Sequence, residues 1–179
     1  SYSISAHKFH GPKGVGFLYA EKMDFDNFMH GGDQEEKHRA GTENLISITG
    51  MAAALSESME HLEENLEHAQ DLKNSLLADL LDIDYYLNES QPSLPYVINL
   101  GFPNQKNDLL LLQMDLNGFS ISTGSACTAG AIQPSHVLQA MYGKDSNCLY
   151  ESVRISTSDQ TTLQEIQSFT KKLKEILGG

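Results

Sequence analysis

The stretch Ser5-Ala6-His7-Lys8-Phe9-His10-Gly11-Pro12-Lys13-Gly14-Val15-Gly16 governs the reading of the whole chain. Gly11-Pro12-Lys13-Gly14 is a turn signal, because proline presets one backbone angle and glycine reaches conformations closed to other residues. The flanks Tyr2–Ser5 and Val15–Tyr19 therefore read as two short strands joined by that turn. Lys8 falls at the end of the first strand, held at a defined point by the rigid turn. An ordinary lysine, with a pKa near 10.4, is neutral in only about one copy in 2,500 at pH 7. Covalent use of such an amine needs a depressed pKa or an aldehyde cofactor to react with. Ser5 and His7 flank it with O–H and N–H donors, the groups a phosphate requires.

Downstream, residues 21–44 hold few apolar positions, a Gly31-Gly32 pair and mixed charges, which predicts a long ordered loop. From about Leu45 to Leu81 the pattern turns helical. Leu55, Met59, Leu62, Leu66, Ala69, Leu72, Leu76 and Leu80 recur at spacings of three or four and predict one buried stripe. Between Leu45 and Asp84, nine acidic residues against Lys73 alone leave −8 of the chain's −12 net charge on this segment, read as a solvated helix face. Past Pro95 the signals alternate: strand Tyr96–Leu100, helix Asp108–Leu116 with Asn107 or Asp108 near its cap, strand Phe119–Ser122, helix Pro134–Met141, strand Ser152–Ser156 and amphipathic helix Thr161–Leu177. In that last helix Leu163, Ile166, Phe169, Leu173, Ile176 and Leu177 form the stripe. Strand–helix alternation implies an α/β (α+β) fold.

The 179 residues include 12 Lys+Arg against 24 Asp+Glu. That balance argues against nucleic-acid binding, which needs a basic face to displace counterions, though not against a small anionic cofactor. No apolar run is long enough for a membrane-spanning helix and no signal-peptide pattern opens the chain, so a cytoplasmic setting is expected. Two cysteines, Cys127 and Cys148, make no secreted disulfide framework, and neither they nor the seven histidines have zinc-site spacing, so no metal is expected.

The second chemical stretch is Ser122-Thr123-Gly124-Ser125-Ala126-Cys127-Thr128-Ala129-Gly130. Cys127 stands between two glycines among small residues, which predicts an accessible thiol. With an ordinary pKa of about 8.5, a few per cent of such thiols are nucleophilic thiolate at pH 7. Cys148, beside Leu149 and Tyr150, fits a buried cysteine better.

Four motifs in order resemble those of the group I cysteine desulfurases, fold-type I pyridoxal-phosphate (PLP) enzymes of the class V aminotransferase family. They are Ser5-x-His7-Lys8-x-x-Gly11-Pro12-Lys13-Gly14-x-Gly16; Gly31-Gly32-x-Gln34-Glu35 with Arg39-Ala40-Gly41-Thr42-Glu43-Asn44; Gly124-Ser125-Ala126-Cys127-Thr128; and Ser152-Val153-Arg154-Ile155-Ser156. The resemblance implies that Lys8 anchors PLP covalently and shuttles protons, that Ser5 and His7 bind the cofactor phosphate, and that Thr42 reaches the phosphate of the neighbouring subunit in a homodimer. It implies that Arg154 grips the carboxylate of L-cysteine, a task its planar fork of donors suits. Cys127 would take the substrate sulfur as a persulfide, release alanine and pass the sulfur to an acceptor protein, an iron–sulfur scaffold or a thiolation protein.

The same resemblance implies that residues 1–44 end a large PLP-binding domain, 45–82 form a linking helix, and 83–179 form a small C-terminal α/β domain. It also departs from the family in two ways. Thr157-Ser158-Asp159-Gln160 replaces a glycine-containing turn after Arg154. The acid and the histidine that the family sets around the PLP ring are expected upstream of Ser1, so the chain reads as the C-terminal portion of a longer enzyme, inactive by itself. The rival readings are a selenocysteine lyase or other class V aminotransferase, a non-catalytic docking module using the acidic helix, and a thiol redox protein pairing Cys127 with Cys148.

Overall fold

The computed structural model describes residues 1–22, 25–90, 92–124 and 134–178. The chain divides into two compact units, Ser1–Leu62 and Glu63–Gly179.

The first unit opens on an antiparallel hairpin of β1 (Tyr2–Ser5) and β2 (Gly16–Tyr19), with Tyr2 opposite Tyr19 and Ser5 opposite Gly16. The two tyrosine rings stack across the open end, 6.2 Å between centroids. Helix α1 (Leu45–Glu60) follows the long loop, and its first turn is closed by Asn44, whose side chain accepts the Ser47 N–H at 3.2 Å. Helix α2 (Leu62–Asp79) begins one residue after α1 ends. The chain deviates from helical geometry at His61, whose N–H still reaches the Glu57 carbonyl. The predicted continuous helix is thus two.

The second unit is built on a three-stranded antiparallel sheet in the order β3 (Tyr86–Leu87), β4 (Val97–Gly101), β5 (Ser152–Ser156). Ile98 faces Ile155 and Leu100 faces Val153 across the β4–β5 ladder. These residues, with Leu72 and Leu76 of α2, Leu80 just after it, Leu110 and Met114 of α3 (Asn107–Leu116), and Ile166, Phe169 and Leu173 of α6 (Leu163–Gly178), make one core. Two short helices, α4 (His136–Tyr142) and α5 (Cys148–Glu151), complete it.

The predicted stripe is buried along Ala69, Leu72, Leu76 and Leu80, all 0% exposed, where sheet and helices cover it. Leu55, Met59, Leu62 and Leu66 are exposed instead, with Met59 at 61%. A helical repeat locates a stripe, but only a covering layer buries it. The final helix starts at a capping box. Thr162 Oγ accepts the Glu165 N–H at 3.2 Å and Glu165 returns the bond to the Thr162 N–H at 2.8 Å, which holds the Glu165 carboxyl below its ordinary pKa.

Three further expectations changed. Phe119–Ser122 is not a strand. The Phe119 N–H still closes α3 onto Met114, its ring packs edge-on against Phe169, and only Ser122 pairs with β5. The strand Tyr86–Leu87 and helix Cys148–Glu151 were not legible, being two and four residues long. Asn107 does not cap α3. Its buried amide donates to the carbonyls of Leu149 and Ser152, tying that helix to β5.

Tyr86 lies across Gly101, where an added Cβ would come within 2.1 Å of the ring, and its hydroxyl reaches Glu151 at 3.3 Å. Burial, then the adjoining Cys148 thiol, pushes the Tyr86 phenol above its ordinary pKa of 10. Because the folded value is raised, this tyrosine's contribution to stability is complete below pH 10 and is lost as pH rises further. Ultraviolet titration of the protein against Tyr86→Phe should show one phenol ionising later than the rest. A Tyr86 that ionises with the others would contradict this.

Candidate active site

Lys8 sits in a single 3₁₀ turn, Ala6–Lys8, immediately after β1 and not at the end of the strand as predicted. The turn hangs on Ala6, which is fully buried. The Ala6 N–H donates to Val15 O at 3.0 Å, and the Ala6 carbonyl accepts from Phe9 N at 3.0 Å and Gly11 N at 2.9 Å. These three bonds spend the local backbone groups, so the chain curls instead of continuing as a strand. Two glycines make this possible. Gly14 takes a left-handed φ of +82°, and a Cβ on Gly16 would sit 2.3 Å from the Ile4 carbonyl oxygen across the hairpin. On the far side of the turn Pro12 closes on α1 at Gly50, where an added Cβ would meet the Pro12 ring at 2.8 Å. The result is a rigid pedestal. On it Ser5, His7 and Lys8 are exposed, and the Ser5 hydroxyl is not consumed by capping.

The loop carrying Thr42 belongs to the same unit. Gln34 reaches forward so that its Oε1 accepts the Gly41 N–H at 3.1 Å, and Ala40 is anchored on the Met29 carbonyl. Between these ties Glu35, Glu36 and Lys37 take φ of 51°, 54° and 70°, three successive non-glycine residues in the left-handed region. Such a run costs of order 1–3 kcal/mol per residue, which the surrounding bonds must offset. Thr42 itself is exposed, two residues before the Asn44 cap of α1.

Arg154 lies in the second unit, on β5. One face of the sheet is the core face of Ile98, Leu100, Val153 and Ile155. The other carries a polar row running across the strands: Asn88 just past β3, Asn99 on β4, Arg154 on β5, then Ser122. The Asn88 Nδ2 donates to Asn99 Oδ1 and to Ser152 Oγ, both at 2.9 Å. Ser122 and Arg154 exchange two backbone bonds, 3.1 Å and 2.6 Å. The Arg154 Nε is buried and has no hydrogen-bond partner among the described residues. An unpaired buried donor costs about 1–3 kcal/mol, more when charged, so an acceptor is the missing complement. The run Thr157–Gln160, where a glycine turn was expected, closes by side chains: Ser158 N–H donates to Thr161 Oγ at 3.0 Å and Gln160 N–H to Ser158 Oγ at 3.2 Å.

Cys127 lies outside the described residues. Ser122, earlier in the same sequence motif, is hydrogen-bonded to the strand bearing Arg154. Cys148 is half-buried and not fully enclosed. Of the expected residues, Ser5, His7, Lys8 and Thr42 fall in the first unit and Arg154 in the second. Asn88 and Asn99 were not singled out in the sequence, although the alternation Ile98-Asn99-Leu100 already marks Asn99 as facing away from the core.

The first unit's donors fit PLP: an exposed primary amine for an aldehyde, with a hydroxyl and an imidazole beside it for a phosphate. Among the described residues there is no cluster able to hold a metal ion, and no helix is long and apolar enough to cross a membrane.

Comparison with known proteins gives this arrangement a context. The family model for class V aminotransferases matches residues 1–169. The chain is 41% identical to a putative cysteine desulfurase IscS 1 of Bacillus subtilis, over 98% of its own length and 47% of the relative's. It is 36% identical to a cysteine desulfurase IscS of Dictyoglomus turgidum, over 98% and 45%. Among solved structures, a NifS-like protein superposes with a TM-score of 0.84 at 35% identity, covering 98% of this chain and 45% of that one. A NifS-like protein from Rickettsia africae gives 0.79 at 26% identity, covering 99% and 47%. SspA in complex with cysteine gives 0.64 at 26%, covering 89% and 44%. The chain thus spans about half the length of the relatives it matches. With a family match that runs from the lysine turn through the arginine strand and into the last helix, the chain belongs to the class V aminotransferase family.

Proposed function

We propose that the full-length protein is a PLP-dependent cysteine desulfurase. It would convert L-cysteine to L-alanine and hold the released sulfur as a persulfide on Cys127. Class V aminotransferases and cysteine desulfurases generally depend on PLP, and the relatives above carry the desulfurase name. The observation that carries the reading is the buried Arg154 Nε, without an acceptor among the described residues, on the strand to which Ser122 is hydrogen-bonded. A carboxylate-seeking donor, and a cysteine in the sequence motif that Ser122 opens, suit a substrate bearing both a carboxylate and a sulfur.

Each residue then has a defined task. Lys8 anchors the cofactor through its amine and, once displaced by substrate, moves protons. Ser5 and His7 hold the phosphate, and Thr42 reaches the phosphate bound by the second subunit of a homodimer. When bound, PLP supplies the electron sink that loosens the substrate's bonds next to its amino-bearing carbon. Arg154 orients the substrate by its carboxylate. The Cys127 thiolate attacks the substrate sulfur, forming an S–S bond as the carbon–sulfur bond breaks, and the carbon skeleton leaves as alanine. The persulfide then passes to an acceptor protein, an iron–sulfur scaffold or a thiolation protein, in a cytoplasmic setting. Under this reading residues 1–44 close the large domain, 45–82 link, and 83–179 are the small domain. Incubating the PLP-loaded full-length protein with L-cysteine should yield alanine, with a mass gain of one sulfur atom mapped to the Cys127 peptide. No alanine, or sulfur carried by another residue, would refute the proposal.

A further inference from the structure

Strand order places Asn99 between Asn88 and Arg154, with all three on the non-core face of the second unit's sheet. Asn88 is buried and fixed, because its amide N–H₂ bridges Asn99 Oδ1 and Ser152 Oγ at 2.9 Å each. The bond from Asn88 turns the Asn99 amide oxygen toward β3. That leaves the Asn99 N–H₂ free of this bond, and Arg154 is the direct partner of Asn99 across the β4–β5 ladder. Side chains directly opposite on one face of an antiparallel pair stand about 4.5–5.5 Å apart at Cβ.

Two donors thus belong to facing positions of one sheet face: the Asn99 amide N–H₂ and the buried Arg154 Nε. Neither can satisfy the other, since a guanidinium and an amide N–H₂ both only donate. Among the described residues no carboxylate forms an ion pair with Arg154. On the opposite side Ser122 spends its backbone on the Arg154 backbone and brings no charge. A neutral, donor-rich flank around one unpaired cation is complementary to a planar anion with two oxygens.

We propose that Asn99 is a substrate-binding residue, donating its amide N–H to the α-carboxylate that Arg154 holds, with Asn88 fixing the orientation of that amide. This rests on the reading of Arg154 as the carboxylate site. It explains why an amide stands at the centre of the row: an acid would pair with Arg154 and repel the substrate, and an apolar residue would leave the second oxygen unbound.

The test compares L-cysteine with cysteamine, which lacks only the carboxylate, on the PLP-loaded full-length protein. Binding is followed by the change in cofactor absorbance, and turnover by kcat and KM where it occurs. Asn99→Asp should weaken L-cysteine binding by at least about 10- to 150-fold, the worth of the lost hydrogen bond to a charged group, with the repulsion of the added charge on top. Cysteamine binding should stay within about twofold, so the preference for the carboxylate collapses. Asn99→Ala, which removes the donor without adding charge, should produce a smaller loss in the same direction. The proposal is overturned if L-cysteine binding is unchanged in both variants, or if cysteamine weakens as much as L-cysteine. Arg154→Ala separates the two levels. If it collapses the preference while the Asn99 variants do not, only the assignment of Asn99 fails. If it too leaves the preference intact, the carboxylate reading of Arg154 fails.

Discussion

Cys127→Ala in the full-length protein is expected to lower alanine formation from L-cysteine by about three orders of magnitude or more, the scale seen when an enzyme's nucleophile is removed. The cofactor's visible absorbance, and its change when L-cysteine binds, should persist. The separation follows from the division of labour. The groups that would hold the cofactor, Ser5, His7 and Lys8, sit on the pedestal of the first unit, held by the bonds to Ala6, and owe nothing to the thiol. The carboxylate would meet Arg154, fixed on β5 by its pairing with Asn99 and Ser122. What disappears is the atom that accepts sulfur, and no neighbouring hydroxyl can replace it, because a serine is almost entirely protonated at neutral pH. Cys148→Ala supplies the contrast. That thiol is half-buried beside Tyr86 on α5, and its loss should change turnover by no more than about twofold. Retained turnover in Cys127→Ala, or loss of it in Cys148→Ala, would move the sulfur-accepting role away from Cys127.

Lys8→Ala is expected to have an effect at least as large, with a different signature. Turnover should again fall by about 10³-fold or more, but here the absorbance of the bound cofactor shifts, because the covalent anchor is missing. A small primary amine added to the solution should restore part of the activity by supplying the missing nitrogen. Lys8→Arg should behave like Lys8→Ala: a guanidinium keeps the charge but stays protonated and cannot attack an aldehyde. The turn itself should survive either change, since the side chain is exposed and the Ala6, Phe9 and Gly11 backbone bonds do not involve it. Turnover within about tenfold of the unaltered protein would remove Lys8 from the chemistry.

The residues proposed to bear chemistry were legible in the chain because chemistry demands particular atoms at short range. Lysine, histidine and serine within four positions, a glycine–proline turn after them, a cysteine flanked by glycines and an arginine in a β-branched run can all be read without knowing what lies across the fold. The core of α6 was equally legible, since Ile166, Phe169 and Leu173 follow the helical repeat and are buried.

Tertiary structure decided whatever depends on residues far apart in the chain. The leucine stripe from Leu55 to Leu80 is one repeat in sequence, yet only its second half is covered, because burial needs a partner layer that no local pattern specifies. Lys8 left the strand because the Ala6 carbonyl found two donors downstream and its N–H found Val15. Asn88, Asn99, Ser122 and Arg154 lie up to 66 positions apart and form one row only because strand order and register align them. The sequence by itself determined which atoms are available for the reaction. The sheet determined which of them stand together, and so why a buried arginine N–H is left waiting for an acceptor.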